Sequence, residues 1–187
     1  MALVLGSLSA QNAQKPAAIQ TAVFAGGCFW GVEAVFEHLK GAKTVVSGYA
    51  GGTVVNPDYE AVSRGRTGHA EAVKVTFDPS VVSYETLLKV FFTVAHDPTE
   101  LNRQGPDVGT QYRSAIFFTS AEQQKAVTNA IAQMTAAKTY RGPIVTQVAA
   151  LEKFYDAEAY HQNYLYSHMT QPYIVYNDLP KIENLKK

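Results

Sequence analysis

The hydrophobic positions of the chain change their period several times, and each change marks the boundary of a predicted element. Residues 21–25 (TAVFA) form an apolar run typical of a β-strand, and the pair Gly26-Gly27 ends it. Beyond this pair, apolar residues recur with the spacing of one helical face, at Val32, Val35, Phe36 and Leu39. Gly41 then supplies a helix stop. The pattern predicts a strand, a tight turn and a helix, with residue 28 in the first helical turn.

Strand and helix periods continue to alternate in the middle of the chain. Val45 and Val46 form a short apolar run that precedes a glycine-rich break over residues 48–52. Apolar residues then alternate with polar ones, as in a half-buried strand, at Val73, Val75 and Phe77. Ser83 is a typical N-cap. It opens a predicted helix whose inner face carries Tyr84, Leu87, Leu88, Phe91 and Ala95.

The last third of the chain predicts further elements of both kinds. Residues 115–118 form an apolar run typical of a buried strand, and residues 120–123 (SAEQ) form a capping box. The helix that follows turns three apolar residues inward, at Val127, Ile131 and Met134. Residues 144–148 predict another strand, and Asp156 is interpreted as the cap of a last helix that ends near Leu165.

This alternation predicts one domain of the α/β (α+β) class, with a mixed or antiparallel sheet and helices packed on it. The expected architecture is a two-layer, ferredoxin-like core that carries long loops. Two connections, residues 51–68 and 96–111, exceed the length of ordinary connections within a compact domain. Because such loops tend to be functional, we expect both to build a site.

Composition and charge narrow the classes of function. The 187 residues are 47% apolar and 17% charged, which is ordinary for a globular domain. Lys plus Arg and Asp plus Glu both total 16, so the formal net charge is zero. This balance argues against nucleic acid and anionic membrane as partners, and no apolar run approaches the roughly 20 residues that span a bilayer. We expect a monomer.

The first residues form a segment of different composition. Residues 1–20 are rich in Ala, Gln and Ser and are interpreted as a flexible arm, with the folded domain at residues 21–187. Residues 2–8 are similar to the apolar part of a signal peptide, but a positively charged start is absent. A cytoplasmic protein is therefore expected. A secreted or periplasmic location is the alternative if the arm is a signal-peptide remnant.

The single cysteine stands beside the single tryptophan, in the segment GGCFWG at residues 26–31. One cysteine excludes a disulfide within these residues and every multi-cysteine metal site. Backbone N–H groups at a helix start stabilise an anion, so we expect the pKa of Cys28 to be lowered. A buried structural cysteine is the alternative, but Phe29 and Trp30 are not needed to complete the apolar face of the helix. The pattern favours a nucleophile beside a small apolar pocket.

Further segments extend this interpretation. They are SGYAGG (47–52), NPDYE (56–60), TGHAE (67–71), GPDVGTQYRS (105–114), HQNYL (161–165) and PYI (172–174). Together with GGCFWG, and in this order, they resemble the motifs of the type A peptide methionine sulfoxide reductases. The resemblance covers about residues 21 to 185, which would make residues 21–187 the catalytic domain.

The resemblance implies a role for each residue at a motif position. Cys28 corresponds to the nucleophile that attacks the sulfoxide sulfur, Phe29 and Trp30 to the walls that receive the methyl group, and Gly27 to a position that lines the substrate pocket. Glu71 corresponds to the residue that donates a proton to the sulfoxide oxygen. Tyr59 and Tyr112 correspond to the phenols that hold this oxygen. Asp107 corresponds to an acid that organises the pocket.

The chemistry of the reaction agrees with these residue types. A sulfoxide oxygen leaves poorly unless it is protonated, and a glutamate in a partly apolar pocket has a raised pKa, so it can act as a general acid near neutrality. Phenols can donate hydrogen bonds to the oxygen as charge develops on it. The resemblance therefore implies reduction of the S epimer of methionine sulfoxide, free or in proteins, through a sulfenic acid on Cys28. It implies neither a cofactor nor a metal.

The lone cysteine also bears on turnover. Many members of this family carry further cysteines that attack the sulfenic acid, whereas these 187 residues hold only Cys28. Regeneration is therefore expected to use an external thiol: a thioredoxin, a glutaredoxin with glutathione, or a small dithiol.

Alternative functions remain open at this stage. A cysteine hydrolase would use His69 or His161 as the base for Cys28, but it leaves Glu71 and the tyrosines without a role. A binding module for methionine-containing peptides would use the same pocket without chemistry. The glycines of residues 48–52 lack the lysine and hydroxyl residue of a phosphate-binding loop. The histidines lack the spacing of a metal site.

Overall fold

Eight strands and six α-helices alternate along residues 18–186, the part of the chain that the computed structural model describes. The strands are Gln20–Gly26 (β1), Ala42–Ala50 (β2), Ala70–Phe77 (β3), Arg103–Gln104 (β4), Asp107–Val108 (β5), Ser114–Phe118 (β6), Gln147–Ala150 (β7) and Phe154–Asp156 (β8). The helices are Phe29–Glu37 (α1), Tyr59–Ser63 (α2), Tyr84–Val90 (α3), Ala121–Ala136 (α4), Tyr164–Ser167 (α5) and Leu179–Leu185 (α6). Short π and 3-10 turns complete the chain at Phe91–Ala95, Thr110–Tyr112, Ala159–His161 and Ile174–Asp178.

Six strands form one mixed sheet in the order β7-β6-β1-β3-β2-β8. Neighbouring strands are antiparallel except for β6 and β7, which are parallel. The central strands β6-β1-β3-β2, joined through α1 and α3, have the split β-α-β arrangement of ferredoxin-like folds. The predicted fold class is confirmed.

The core lies mainly between the sheet and the helices. Strand β1 is central and is buried on both faces, since side chains of a strand alternate between its two sides. Phe24 points toward the helices and stacks on Phe36 of α1 and on Phe91, with ring centroids 4.9 and 5.0 Å apart. Val23 and Ala25 face the opposite side and pack in a second, smaller cluster with Phe117. The strand that leads into GGCFWG is therefore fixed from both sides.

Most predicted elements with local start signals are confirmed. The Ser83 side chain accepts a hydrogen bond from the Thr86 N–H at 3.1 Å, and Ser120 accepts one from the Gln123 N–H at 3.2 Å. Both serines are N-caps as expected, for α3 and α4. The helix after Ser83 changes to a π turn over its last residues, Phe91–Ala95.

Three expectations are corrected. The glycine-rich break begins only at Gly51, because β2 continues through Gly48 to Ala50. The strand expected at residues 144–148 lies at Gln147–Ala150, where it pairs with β6. Asp156 does not cap a helix: it ends β8, which pairs with the end of β2, and it forms an ion pair with Lys74 at 2.9 Å. A short strand that forms by pairing with a distant strand shows little regular spacing of apolar residues in its own sequence.

The two long connections contain structure. Residues 51–68 include α2, and residues 96–111 include the β4–β5 hairpin and the start of a 3-10 turn. Of the residues expected to form an arm, 1–20, Gln20 already belongs to β1, and residues 1–17 lie outside the described part of the chain. Within residues 18–186 no helix is long and apolar enough to cross a membrane.

Candidate active site

Cys28 lies at the end of β1 and directly before the first residue of α1. Its side chain is only 7% exposed. The turn that places it there depends on Gly27, whose φ of 90° is in the left-handed region that disfavours side chains. A Cβ at Gly27 would also lie 2.6 Å from Cγ of Gln104, so the side chain of Gln104 covers this glycine. The glycine before the thiol is thus required by both backbone and packing.

Glu71 lies on β3, opposite Tyr49 of β2, and both side chains point to the helix-covered face of the sheet. It is 1% exposed. One carboxyl oxygen, Oε2, accepts the backbone N–H of Phe29 at 3.1 Å, so the carboxyl group meets the first residue of α1. Burial raises the pKa of Glu71 to about 8, against the opposing effect of this hydrogen bond. The group therefore keeps its proton at neutral pH.

The prediction that the pKa of Cys28 is lowered is wrong. Burial raises the pKa of the thiol well above its ordinary value, and the carboxyl groups of Glu71 and Asp178 raise it further. A backbone hydrogen bond from the first turn of α1 and the ammonium group of Lys181 act in the opposite direction without compensating. Moreover, the N–H of Phe29 is engaged by Glu71 and does not serve the thiol. The effect of burial on the pKa of Cys28 is therefore larger than the opposing effect of the helix N-terminus.

Aromatic rings form one wall beside the thiol. Phe29 is fully buried, and its ring centroid lies 6.4 Å from that of Trp30 and 6.4 Å from that of Tyr59. Trp30 is partly exposed and stacks on Tyr164 with centroids 3.8 Å apart. The indole N–H of Trp30 donates to Nδ1 of His161 at 3.1 Å. The two aromatic residues that follow Cys28 thus belong to one group of packed rings, in which Trp30 reaches the surface.

The other predicted polar residues gather around the same point. Tyr59 begins α2, Tyr112 ends a 3-10 turn, and Asp107 lies on β5. Burial raises the pKa of both phenols, and the acidic groups of Glu71 and Cys28 raise it further. Neither hydroxyl donates to another residue within the described chain. Both are therefore available to a ligand.

A second set of residues supports this site from the C-terminal part of the chain. Glu158 accepts hydrogen bonds from the Tyr49 hydroxyl and from the Tyr59 N–H, both at 2.8 Å. The Tyr173 hydroxyl donates to Asp107. Burial raises the pKa of Asp107, although this hydrogen bond opposes the shift. Sequence reasoning missed Glu158 and Tyr173, although Tyr173 lies within the segment PYI and Glu158 shortly precedes HQNYL.

The histidines of the hydrolase interpretation are engaged elsewhere. Nδ1 of His69 accepts the Gly52 N–H at 3.1 Å and Nε2 contacts the Val54 carbonyl oxygen at 2.8 Å, so this ring orders the loop after β2. His161 accepts from Trp30. Within residues 18–186 neither ring forms a hydrogen bond with Cys28. A thiol without an imidazole partner does not support a cysteine hydrolase.

The site combines a buried thiol, a neighbouring carboxyl group that holds its proton, and an aromatic wall. These groups are typical of a thiol-based oxidoreductase. The comparison with family models agrees, since the model of the peptide methionine sulfoxide reductases matches residues 20–187. The chain belongs to this family.

Individual relatives support the same assignment. The peptide methionine sulfoxide reductase MsrA 2 of Mesorhizobium japonicum is 56% identical over 168 residues, which are 90% of this chain and 86% of that protein. Among solved structures, Mxr1 from Saccharomyces cerevisiae in reduced form matches with a TM-score of 0.76 and 34% identity, over 83% of this chain and 89% of Mxr1. The structure of Mxr1 in complex with Trx2 matches with a TM-score of 0.55 and 25% identity, over 80% of this chain and 87% of that chain.

Proposed function

We propose that this protein reduces the S epimer of methionine sulfoxide, free or within proteins, through a sulfenic acid on Cys28 that an external thiol regenerates. The observation that carries the proposal is the position of Glu71. Its buried carboxyl group accepts the Phe29 N–H at 3.1 Å, one residue from the thiol, and keeps its proton at neutral pH because its pKa is about 8. A sulfoxide oxygen beside Cys28 would therefore meet a proton donor.

The first step transfers the oxygen. The sulfur of Cys28 forms a bond to the sulfoxide sulfur while Glu71 donates its proton to the oxygen. The oxygen then moves to the sulfur of Cys28, and the sulfur–sulfur bond breaks with its electron pair going to the methionine sulfur. The thiol proton restores Glu71. Methionine sulfur is reduced by two electrons, and Cys28 is oxidised by two electrons to the sulfenic acid.

The surrounding residues position the substrate. Phe29 and Trp30 present ring surfaces that accept the methyl group of the sulfoxide. Glu71 and Cys28 both raise the pKa of Tyr59 and of Tyr112, which supports a role in which the two phenols donate hydrogen bonds to the sulfoxide oxygen. Asp107 acts through Tyr173, because its carboxyl group accepts a hydrogen bond from the Tyr173 hydroxyl. Gly27 provides the turn that places Cys28 directly before α1.

Regeneration uses thiols from outside. One external thiol attacks the sulfenic acid, releasing water and forming a mixed disulfide, and a second thiol attacks this disulfide, releasing Cys28. The solved complex of the relative Mxr1 with Trx2 favours a thioredoxin as the donor. A glutaredoxin with glutathione or a small dithiol is the other candidate. A monomeric state and a cytoplasmic location stay predictions.

The test is a reduction assay on the two resolved epimers of a methionine sulfoxide, with dithiothreitol as the donor, for the wild type and Cys28→Ser. We expect the wild type to reduce the S epimer and Cys28→Ser to reduce neither while keeping its circular dichroism spectrum. Equal rates on both epimers contradict the assigned stereochemistry. Activity in Cys28→Ser contradicts the mechanism.

A further inference from the structure

Two charged residues from the C-terminal part of the chain pack against the first turn of α1. Asp178 ends the π turn Ile174–Asp178, and Lys181 lies one turn later on α6. A Cβ at Gly31 would lie 2.1 Å from Oδ1 of Asp178 and 2.9 Å from Nζ of Lys181. Gly31 is the last residue of GGCFWG. Because it has no side chain, the ion pair can pack directly against the backbone of α1, three residues after Cys28.

The pair is buried to an unusual degree. Asp178 is 0% exposed, and its Oδ1 accepts a hydrogen bond from Lys181 Nζ at 3.1 Å, while 17% of the lysine side chain is exposed. Oδ2 of Asp178 has no partner within the described residues. Burying a carboxylate with an unpaired oxygen is costly, and one hydrogen bond does not repay the loss of water. Stability alone does not account for the pair.

The surroundings of the thiol explain what the pair can do. The groups that face Cys28 from the other elements are mostly acids and phenols: Glu71 on β3, Tyr59 on α2, Tyr112 before β6, and Tyr173 together with Asp178 beside α6. The carboxyl groups of Glu71 and Asp178 disfavour a negative charge on sulfur when they are ionised, and the neutral phenols supply no positive charge. His96, which lies against Gly26, is neutral because burial lowers its pKa to about 4. Lys181 supplies a positive charge that favours the thiolate.

We propose that Lys181 is a positioning residue for the reactive thiol: Asp178 anchors it over Gly31, and its ammonium group stabilises negative charge on the sulfur of Cys28. The anchor prevents the lysine side chain from extending into water. Asp178 also has an opposing effect, because its carboxylate raises the pKa of Cys28 and so disfavours the thiolate. The inference rests on the proposed nucleophilic role of Cys28, but it concerns the thiol itself and can be measured without a sulfoxide.

The experiment is the pH dependence of Cys28 alkylation by iodoacetamide, a neutral probe that does not respond to the charge of a variant. In Lys181→Met we expect the apparent pKa of Cys28 to rise. Each unit of rise lowers the thiolate fraction, and hence the alkylation rate at neutral pH, about tenfold. Lys181→Arg is expected to restore most of the rate. Lys186→Met, on an exposed lysine that follows the same helix, is the matched control and should leave the profile unchanged.

A second pair of variants covers the case in which Lys181→Met does not fold, since that change leaves Asp178 buried without its cation. Asp178→Asn keeps an acceptor for Lys181, so Asp178→Asn is compared with Asp178→Asn/Lys181→Met. The double variant should have the higher pKa of Cys28. An unchanged profile in either comparison overturns the proposal, as does an equal change in Lys186→Met. A wild type that reacts with iodoacetamide as expected but reduces no sulfoxide would contradict the proposed function alone.

Discussion

The indole N–H of Trp30 donates to Nδ1 of His161 at 3.1 Å, across 131 positions of the chain. His161 is 2% exposed, and burial lowers its pKa, so the ring stays neutral and Nδ1 stays an acceptor. Stacking on Tyr164 holds the indole from a second side. The orientation of the aromatic wall is thus set by residues that are remote in sequence from GGCFWG.

Replacing His161 should therefore weaken substrate binding. His161→Phe keeps an aromatic ring but removes the acceptor, and a lost hydrogen bond of this kind costs about 1 kcal/mol, or roughly fivefold in KM. The rate at saturating methionine sulfoxide should change less, since within the described residues the ring forms no hydrogen bond with Cys28. Steady-state kinetics with dithiothreitol measures both quantities. His38→Phe, on an exposed histidine that follows α1, is the control and should leave KM unchanged.

The acid role of Glu71 predicts two opposite changes in one variant. In Glu71→Gln the proton donor is lost, so sulfoxide reduction should slow by about 10²–10⁴-fold. Above about pH 8 the ionised carboxyl group of Glu71 disfavours the thiolate, so in that range alkylation of Cys28 should be faster in the variant than in the wild type. Single-turnover reduction and iodoacetamide alkylation measure the two effects separately.

A matched buried carboxyl group is available as the control for Glu71. Glu33 is also 1% exposed, accepts the Asn163 N–H at 3.0 Å, and has a pKa that burial raises to about 7. Glu33→Gln should leave both rates near those of the wild type. If both variants slow reduction equally, the loss reflects a disturbed fold and Glu71 is not the acid.

Local sequence patterns predicted the elements and residues that depend on near neighbours. Ser83 and Ser120 are recognisable as caps because each bonds an N–H three residues away. The motifs that contain Cys28 and Glu71 implied, through the family resemblance, that both residues belong to one site. The helix expected after Asp156 was wrong because β8 exists only through pairing with residues 48–50, and no local period records that partner.

The electrostatics of the site could not be predicted from the sequence. The helix start at Cys28 was visible in the pattern, but the degree of burial that reverses its effect depends on the whole fold. Glu158 supports Tyr59 from 99 positions away. Asp178 and Lys181 lie against Gly31, three residues after the thiol, only because α6 packs against α1. Contacts of this kind join segments with no shared pattern.

The raised pKa of Glu71 predicts how stability depends on pH. The folded protein holds this proton up to about pH 8, whereas an ordinary glutamate releases it near 4.5. The folded state therefore binds the proton more tightly, and the free energy of unfolding should fall as pH rises through this window. The fall should be smaller in Glu71→Gln. Urea denaturation of both proteins at several pH values measures the difference, and parallel curves would contradict a raised pKa.

Gly31 is predicted to be intolerant of a side chain. A methyl group there would lie 2.1 Å from Oδ1 of Asp178, so Gly31→Ala must displace the buried pair or shift α1. Overpacking of this kind costs about 1–3 kcal/mol. At Gly142 the nearest atom to an added Cβ is 3.4 Å away, so Gly142→Ala should change the free energy of unfolding by less than about 0.5 kcal/mol. Thermal or urea unfolding measures both; equal stabilities would show that the pair yields without cost.

The stoichiometry of reduction distinguishes an enzyme that depends on external thiol from one that completes the cycle itself. These 187 residues contain one cysteine, so a sulfenic acid on Cys28 has no internal thiol to attack it. Without added reductant, each protein molecule should yield about one methionine and then stop. Dithiothreitol should restart turnover, and a sulfenic acid probe such as dimedone should label Cys28 only after exposure to the sulfoxide.

The control for this experiment is Cys28→Ser, which should yield no methionine and no labelled residue in the same assay. Two or more methionines per molecule without a reductant would mean that another group accepts the oxygen or supplies the electrons. One methionine without labelling would place the oxygen elsewhere than on the sulfur of Cys28. Only a single equivalent together with labelling supports the division of work that the site implies, in which Cys28 removes the oxygen and a separate thiol donor resets it.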